Sequence, residues 1–274
     1  MFGVQNIQTY YRMKMDDFWN CIDNIYCINL IEREDRYQHA IKEFTKIGII
    51  EKVVFHRVSR HPRGGIVGNC TSIQQVFRLA CNDSKYFNKP VLIFEDDVFF
   101  EENRLENLKL LVDFLQKDCV ENWDTIRLGS WKALYDRELL KDAVYMGNAQ
   151  GLHATVFAPH VVTHIIGLEV DNCEPILVDR YIASKFRNNI ILKDSVCFQD
   201  ELGTDALWPS KEQQFLFLQS PILFQKEYEK KSIKAWNIFG NIPNKFAWLR
   251  RKFMYAYVLG IKQTLSTSRP KYAM

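Results

Sequence analysis

The sequence feature that most constrains the fold is the segment 91–100, VLIFEDDVFF, in which three consecutive carboxylates separate two apolar runs. The apolar flanks are typical of a buried strand, which would present Glu95, Asp96 and Asp97 together at its C-terminal end. In open α/β sheets, ligands bind at the carboxyl ends of the strands. Adjacent carboxylates repel one another, so this position at the margin of a core requires compensation by a cation or by solvent.

A hard divalent cation is one partner that suits these carboxylates. Mg²⁺ and Mn²⁺ prefer oxygen ligands and are often shared with the phosphates of a substrate. The alternative is an acidic turn that continues through Glu101 and Glu102 into a helix N-terminus, where negative charge is favourable. The residues alone leave both interpretations open.

The composition predicts a soluble globular protein. A chain of 274 residues with 47% hydrophobic and 25% charged residues is long enough for one large α/β domain with a small appendage. The seven cysteines are scattered without a CxxC pair, which favours reduced thiols and a cytoplasmic location. The N-terminal segment lacks the apolar region of a signal peptide, and the apolar segment 253–261 is too short to span a bilayer.

The first part of the chain has the pattern of a β-α-β unit. Residues 25–30 form a short apolar run, and residues 53–58 form another. Between them, apolar residues recur at helical spacing from Tyr37 to Ile47, and Gly48 marks the end of that helix. A β-α-β unit implies parallel strands, so the sequence predicts an α/β fold with a central sheet flanked by helices.

Further elements are predicted from the same periodicities. We expect an irregular lead-in at 1–24, a main domain at 25–234 and a basic, aromatic, helical appendage at 235–274. Within the main domain, we expect helices around 73–80, 108–115, 161–166 and 174–186, strands at 125–128, at Tyr145 and at 153–158, a loop at 147–151, and a polar, mobile loop at 198–211.

Seven segments of the chain match, in order and spacing, a family of known enzymes. They are 28–36 (INLIEREDR), 65–72 (GIVGNCTS), 92–98 (LIFEDDV), 122–129 (NWDTIRLG), 152–154 (LHA), 175–180 (PILVDR) and 220–225 (SPILFQ). On these segments the chain resembles glycosyltransferase family 25, which includes lipopolysaccharide galactosyltransferases and collagen hydroxylysine galactosyltransferases. The resemblance covers about residues 25–234.

The resemblance implies a GT-A fold, a Rossmann-like domain that has a mixed central sheet flanked by helices and binds a nucleotide sugar. It further implies a glycosyltransferase that uses Mn²⁺ or Mg²⁺ and moves a hexose, of the galactose or glucose class, from a UDP-sugar to an acceptor hydroxyl with inversion. The acceptor would be a glycan, a glycolipid or a hydroxylated, collagen-like protein. Such a cation acts as a Lewis acid on the departing phosphate. We expect Asp97, together with Glu95, to bind the metal, and the donor to be bound by Asn29, Arg33, Arg36, Ser72, Glu95 and Asp96.

Several of these roles have alternatives. Arginine suits bidentate phosphate contacts, but Arg33 and Arg36 would otherwise pair with Glu32 and Asp35 on an exposed helix face. Ser72 would otherwise cap its own backbone.

An inverting transferase needs a base within hydrogen-bond reach of the acceptor hydroxyl. Asp179 is the leading candidate, although a carboxylate at a helix N-terminus has a structural role of its own. His153 is the second candidate, as the base or as a donor or metal contact. Its alternative role is that of a hydrogen-bonded core residue.

Three positions depart from the family pattern: Asn69 replaces a usual Cys, Ile73 a usual His and Thr155 a usual Tyr. These replacements motivate an alternative function, that of a catalytically inactive relative that binds a nucleotide sugar or a glycan. A nucleotidyltransferase would also use carboxylates and metal, but the ordered segments disfavour it.

The C-terminal segment combines basic and aromatic residues. From residue 226 onward there are eleven Lys and Arg against two Glu. Such a segment suits peripheral contact with an anionic membrane, and the alternative is a helix that packs its aromatic residues on the main domain. No nucleic-acid partner is expected, because no nucleic-acid-binding motif accompanies the charge.

Overall fold

A computed structural model describes residues 18–84, 88–117, 123–130, 132–169, 178–200, 221–243, 249–250, 253–254 and 257. The predicted features at 1–17, 174–177 and 201–211, and most of the C-terminal segment, therefore lie outside the described residues.

The first part of the chain forms the predicted β-α-β unit and then leads into the acidic segment. The first helix has Glu34 and Asp35 in its first turn and Lys46 in its last, which suits the helix dipole, and its buried face carries Ala40 and Phe44. The elements are β1 (Asn24–Leu30), α1 (Glu34–Lys46), β2 (Val53–Val58), α2 (Gly65–Asn82) and β3 (Val91–Glu95).

The second part of the described chain adds seven strands and four helices. Its elements are β4 (Val98–Phe100), α3 (Asn107–Lys117), β5 (Thr125–Arg127), β6 (Lys132–Leu140), β7 (Val144–Gln150), β8 (Ala154–Phe157), α4 (Pro159–Ile166), α5 (Val178–Lys185), β9 (Asn189–Leu192), β10 (Cys197–Gln199) and α6 (Pro221–Phe239).

Eight strands form a mixed central sheet in the order β2-β1-β3-β8-β5-β9-β7-β6. Strands β2, β1 and β3 are parallel, β8 runs antiparallel between β3 and β5, and β9 is parallel to β5. The carboxyl ends of β1, β2, β3 and β5 therefore lie at one edge of the sheet. Strands β4 and β10 pair separately in a two-stranded antiparallel sheet.

Helices cover both faces of the central sheet. On one face, α1 packs its Phe44 ring against Phe94 of β3 with ring centroids 5.1 Å apart. On the other face, α2, α4 and α5 pack over the sheet, and Phe77 lies against Phe157 of β8. Successive residues of β3 point to opposite faces, so both clusters are needed to bury it.

The prediction of an α/β fold with a mixed, helix-flanked sheet is confirmed. Two local predictions are wrong. The predicted loop at 147–151 belongs to β7 up to Gln150, and a side chain at Gly147 would collide with the Leu134 carbonyl of β6, so the glycine serves close strand pairing rather than a turn. Residues 198 and 199 of the predicted polar loop belong to β10. Strands β6 and β9 were not predicted.

The two ends of the described chain pack on the central domain. Trp19 is buried and its ring lies 6.4 Å from that of Phe94, so this part of the predicted lead-in belongs to the core. Helix α6 continues across the predicted boundary at residues 234 and 235, and Ala235 is fully buried. Among the helices of the described segments, none has the length and apolar character needed to cross a membrane.

Candidate functional site

The three carboxylates lie where β3 ends and the chain turns into β4. Glu95 is the last residue of β3, Asp96 and Asp97 form the turn, and Val98 begins β4. The site therefore lies at the edge of the sheet that holds the carboxyl ends of β1, β2 and β3, as the sequence predicts for a ligand site in an α/β fold.

Asp96 is held by two of the predicted site residues. Its Oδ1 lies 2.9 Å from Arg36 Nη1, and its Oδ2 accepts a hydrogen bond of 2.7 Å from Asn29 Nδ2. All three side chains are largely buried. Arg36 also lies 3.5 Å from Asp97 Oδ2, so one guanidinium contacts two of the three carboxylates.

Arg57 joins this network, although the sequence analysis did not single it out. Its Nε donates to Asn29 Oδ1 at 3.0 Å, and its Nη2 pairs with Glu34 at 2.8 Å. The guanidinium lies over the Tyr37 ring, 4.2 Å from the centroid, which adds a cation–π contact. Asn29 and Arg57 are direct partners in the parallel pairing of β1 and β2, so aligning those two predicted strands would have revealed the contact.

Glu95 and Asp97 share one amide donor, Gln199 of β10. Its Nε2 donates to Glu95 Oε2 at 2.8 Å and to Asp97 Oδ1 at 3.2 Å. Gln199 pairs with Val98 in the small sheet, which places its side chain beside the turn. The sequence analysis missed this residue because it assigned the segment to a loop.

Gln225 of α6 fixes the backbone of Gln199. Its Oε1 accepts from the Gln199 N–H, and its Nε2 donates to the Gln199 carbonyl, both at 3.2 Å. The side chains of both glutamines are buried. Gln225 lies in the SPILFQ segment of the family resemblance, but no role was predicted for it.

The three carboxylates carry more negative charge than their surroundings compensate. Within the described part of the chain, Arg36 is the one cationic side chain within ion-pair distance of them. Burial, together with the charges of Asp97 and Asp96, raises the pKa of Glu95 to about 8. Burial also raises the pKa of Asp97 to about 6, against the lowering effect of Arg36. Glu95 and Asp97 therefore bind a proton, or another cation, more readily than ordinary carboxylates do.

The oxygen chemistry of Glu95 and Asp97 suits Mn²⁺ or Mg²⁺. Among the described residues, no group of three or more His, Cys, Asp and Glu side chains is arranged to hold a metal. A cation bound here would therefore take two protein carboxylates and complete its ligands from other oxygens.

Asp179 lies near the carboxylates, on the first turn of α5. Its negative charge contributes to the raised pKa of Glu95, and its side chain is partly exposed. Its Oδ1 accepts from the Arg180 N–H at 2.7 Å, which is the helix N-terminal contact expected as its alternative role. The role of Asp179 as the base stays a prediction.

His153 lies behind the site rather than at its surface. Its backbone carbonyl accepts from the Glu95 N–H at 3.1 Å, while its side chain is fully buried. Burial lowers the pKa of its imidazole to about 3, so the ring is neutral. Among the described residues, neither ring nitrogen makes a hydrogen bond of ordinary geometry. The nearby Cys197 backbone raises the pKa of His153, but burial has the larger effect. A side chain at Gly129 would collide with His153 Nε2, so the glycine allows this close packing.

Arg127 is a fully buried cation at the carboxyl end of β5. It donates to the Gly151 carbonyl at 2.6 Å and to the Thr155 hydroxyl at 3.2 Å. Burial lowers its pKa to about 10, and the nearby charge of Asp179 opposes this effect. Thr155, one of the departures from the family pattern, therefore serves as a partner for Arg127.

Two predicted donor-binding residues have the local contacts named as their alternatives. Arg33 makes a bidentate contact with Asp35, at 2.9 and 2.7 Å, and this hydrogen bonding lowers the pKa of Asp35 to about 2. The Ser72 hydroxyl is buried and donates to the Gly68 carbonyl of its own helix at 2.7 Å.

The aromatic residues of the basic C-terminal segment that are described pack on the domain. Trp236 of α6 lies 5.5 Å from the ring of Tyr145 in β7, and Phe239 stacks on Phe253 at 5.5 Å. Arg250 is buried and donates to the backbone carbonyls of Ile242 and Asp136. These contacts agree with the packing alternative for this part of the segment.

No protein-family model matches the chain, and no curated protein is significantly similar to it. The resemblance to glycosyltransferase family 25 therefore rests on the seven segments quoted above and remains a prediction.

Proposed function

We propose that this protein is a metal-dependent glycosyltransferase of the GT-A type, resembling family 25. It would transfer a hexose from a UDP-sugar to an acceptor hydroxyl with inversion. The single observation that carries this proposal is the carboxylate group of buried Asp96 and Asp97 and half-buried Glu95, which lies at the carboxyl edge of a mixed α/β sheet. Within the described segments, the arginine that contacts this group is Arg36. A divalent cation bound to a diphosphate would supply the missing positive charge.

The three carboxylates have different contacts, and we assign them different roles on that basis. Asp96 is engaged by Arg36 and Asn29, so it is held as part of the protein's own network. Among the described residues, the further side chain that Glu95 and Asp97 share is the neutral amide of Gln199, and we assign the two carboxylates to the cation. When bound, the cation would neutralise the negative charge of the departing nucleoside diphosphate.

Arginines of the same edge suit the donor phosphates. Arg36 is already placed beside Asp97, and Arg57 keeps a partly exposed side chain after its contacts with Asn29 and Glu34. Planar guanidinium groups bind phosphate oxygens through paired hydrogen bonds. We assign Arg36 and Arg57 to positioning the donor, ahead of Arg33, which is engaged by Asp35.

Asp179 is the preferred base in this mechanism. It is partly exposed and lies near the carboxylates, so it is accessible to an acceptor hydroxyl from which it would take the proton. His153 is unsuited to that step because its ring is fully buried. We therefore propose that His153 supports the backbone that holds Glu95.

The acceptor we propose is a glycan, a glycolipid or a protein hydroxyl, as in the resembling family. The cysteines at 21, 27, 70, 81 and 197 are free thiols, which is consistent with the proposed cytoplasmic location. Peripheral membrane contact is a less favoured proposal, because Trp236, Phe239 and Arg250 are engaged within the fold.

The test is the release of UDP from a panel of UDP-sugars, measured with Mn²⁺, with EDTA and with the Asp97→Ala variant. We expect metal-dependent release from one sugar and its loss in the variant. The matched control is Glu51→Ala, which removes an exposed carboxylate just before β2, at the opposite edge of the sheet, and should leave the release unchanged.

The second candidate function is a nucleotide-sugar-binding protein without transferase activity. Two of the positions that depart from the family pattern favour it. Ile73 is packed in the apolar core, and Thr155 is hydrogen-bonded to Arg127. Neither position therefore offers a reactive group. Calorimetry separates the two functions. Metal-dependent UDP-sugar binding without turnover in the presence of candidate acceptors supports the binding protein, and the absence of any such binding contradicts both proposals.

A further inference from the structure

In the part of the chain that the structure describes, Gln199 is the one neutral side chain that contacts both carboxylates assigned to the cation. Its amide nitrogen lies 2.8 Å from Glu95 Oε2 and 3.2 Å from Asp97 Oδ1. An amide NH₂ has two hydrogens, so it can donate one to each carboxylate. In the absence of a cation, this amide holds the two carboxyl groups together.

The backbone of Gln199 is fixed on both sides. The Gln225 side chain accepts from its N–H and donates to its carbonyl, and β10 pairs with β4 in register at Gln199 and Val98. The flanking backbone is thus anchored to α6 and to the strand that follows the carboxylates. A change at Gln199 is therefore confined to its side-chain torsions.

The amide cannot keep its present orientation when a cation lies between the carboxylates, because its N–H groups would point towards a positive charge. A half-turn of the amide exchanges nitrogen for oxygen at the same place. The amide oxygen is a ligand that hard divalent cations accept, and the side chain has the reach because its nitrogen already lies at the carboxylates.

We infer that Gln199 is the third protein residue of the cation site: it donates to Glu95 and Asp97 when the site is empty and turns its amide oxygen to the cation when the site is filled. This inference rests on the proposed function. It adds a ligand from outside the acidic segment, and it assigns Gln225 as the residue that positions that ligand.

A glutamine suits this double role better than a glutamate. A glutamate at this position would add a fourth carboxylate to a group in which both aspartates are buried and which, within the described residues, contacts one arginine. It would also remove the donor that joins the empty pair. The neutral amide avoids the added repulsion and retains an oxygen for the cation.

The test measures Mn²⁺ affinity by calorimetry, with and without UDP, and thermal unfolding in EDTA and in Mn²⁺. The variants are Gln199→Glu, which keeps an oxygen but loses the donor, and Gln199→Met, which has neither. Gln199→Asn is a second amide variant that is too short to reach the carboxylates. The control is Gln74→Met, which removes a buried amide that donates to the carbonyls of Ile165 and Leu168, away from the site.

We expect Gln199→Met and Gln199→Asn to weaken Mn²⁺ binding by about tenfold or more, while Gln199→Glu binds at least as tightly as the native protein. The Gln199→Glu variant should also lose stability in EDTA and gain more from Mn²⁺ than the native protein does. The Gln74→Met control should lose stability without a change in Mn²⁺ affinity.

The inference is overturned when Gln199→Met, or Gln199→Asn if the first variant does not fold, binds Mn²⁺ as tightly as the native protein. In that case the native protein still binds Mn²⁺, and the proposed function stands. Failure of the native protein to bind Mn²⁺ both with and without UDP would overturn the metal-dependent function and this inference together.

Discussion

At the level of single residues, the buried pair of Arg36 and Asp96 should make the stability of the protein sensitive to the loss of either side chain. Both side chains are about nine-tenths buried, with 10% and 7% exposed. Removing one member leaves the other as an uncompensated buried charge. We therefore expect Arg36→Met to lower the free energy of unfolding by about 3 kcal/mol, measured by urea denaturation in EDTA.

The control for Arg36→Met is Arg33→Met, which breaks a pair whose carboxylate, Asp35, is 56% exposed. Exposed pairs contribute little, so this variant should change the free energy by less than about 1 kcal/mol. Equal losses in the two variants would show that burial does not distinguish the two arginines.

The raised pKa of Glu95 predicts a pH-dependent stability of the metal-free protein. Its pKa rises from an ordinary value of 4.5 to about 8 in the folded state, mainly through burial. The stability linked to its bound proton is thus fully present below pH 4.5 and is lost as the pH rises through about 8.

In EDTA, the native protein should therefore lose stability relative to Glu95→Gln across that interval, in urea denaturation at a series of pH values. Mn²⁺ should remove the difference because it replaces the proton. If the free energies of unfolding of the two proteins in EDTA changed with pH in the same way, the raised pKa of Glu95 would be contradicted.

At the level of elements, α6 packs on the central domain, and this includes its residues 235–239, which were predicted to lie in the basic appendage. Trp236 packs edge-on against Tyr145 and Tyr135, with centroid distances of 5.5 and 6.4 Å. We expect Trp236→Ala to lower the free energy of unfolding by about 2 kcal/mol, through lost burial and lost aromatic contacts.

The control on the same helix is Ile238→Ala, because Ile238 is 50% exposed. It should cost less than about 0.5 kcal/mol. Thermal unfolding of both variants compares them directly, and a Trp236→Ala variant as stable as the Ile238→Ala variant would place α6 outside the cooperative domain.

The elements that were predicted well from the sequence are those in which apolar residues recur at regular strand or helix spacing. The β1-α1-β2 unit has apolar residues at clean strand and helix spacing, and its prediction is confirmed. Strand β6 escaped prediction because its register shifts between Tyr135 and Arg137, so the alternation of buried and exposed positions breaks in the middle.

The features of the site that could not be predicted from the sequence are contacts between segments far apart in the chain. Asn29, Arg36 and Asp96 were predicted to share a site, and the structure brings them together. The contact of Gln199 with Glu95 spans 104 positions and depends on the pairing of β10 with β4. Neither residue carries a local pattern that reports such a pairing, so only the fold reveals it.

At the level of the whole molecule, the candidate site lies at the end of the parallel part of the sheet. Strand β3 supplies Glu95 from the parallel part, whereas Arg127 ends β5 beyond the reversed strand β8. The charge of Asp179, on α5, acts on both Glu95 and Arg127. In the proposed mechanism, the donor therefore binds on the β1-β2-β3 side and the acceptor approaches from the side of α5.

This arrangement predicts that UDP stabilises the protein only together with a divalent cation. Without the cation, the diphosphate would face the negative charge of Asp97 at short range, and above about pH 8 that of Glu95 as well, whereas the cation joins the carboxylates to the diphosphate. A ligand that binds the folded state alone stabilises it by about 2.7 kcal/mol at a concentration a hundred times its dissociation constant.

We therefore expect a clear rise in the unfolding temperature with UDP and Mn²⁺ together, a small rise with Mn²⁺ alone and none with UDP in EDTA. Asp97→Ala should abolish the combined effect, whereas Glu51→Ala should retain it. An equal rise with UDP in EDTA would mean that the arginines of the edge bind the nucleotide without metal, and the carboxylates would then need another role.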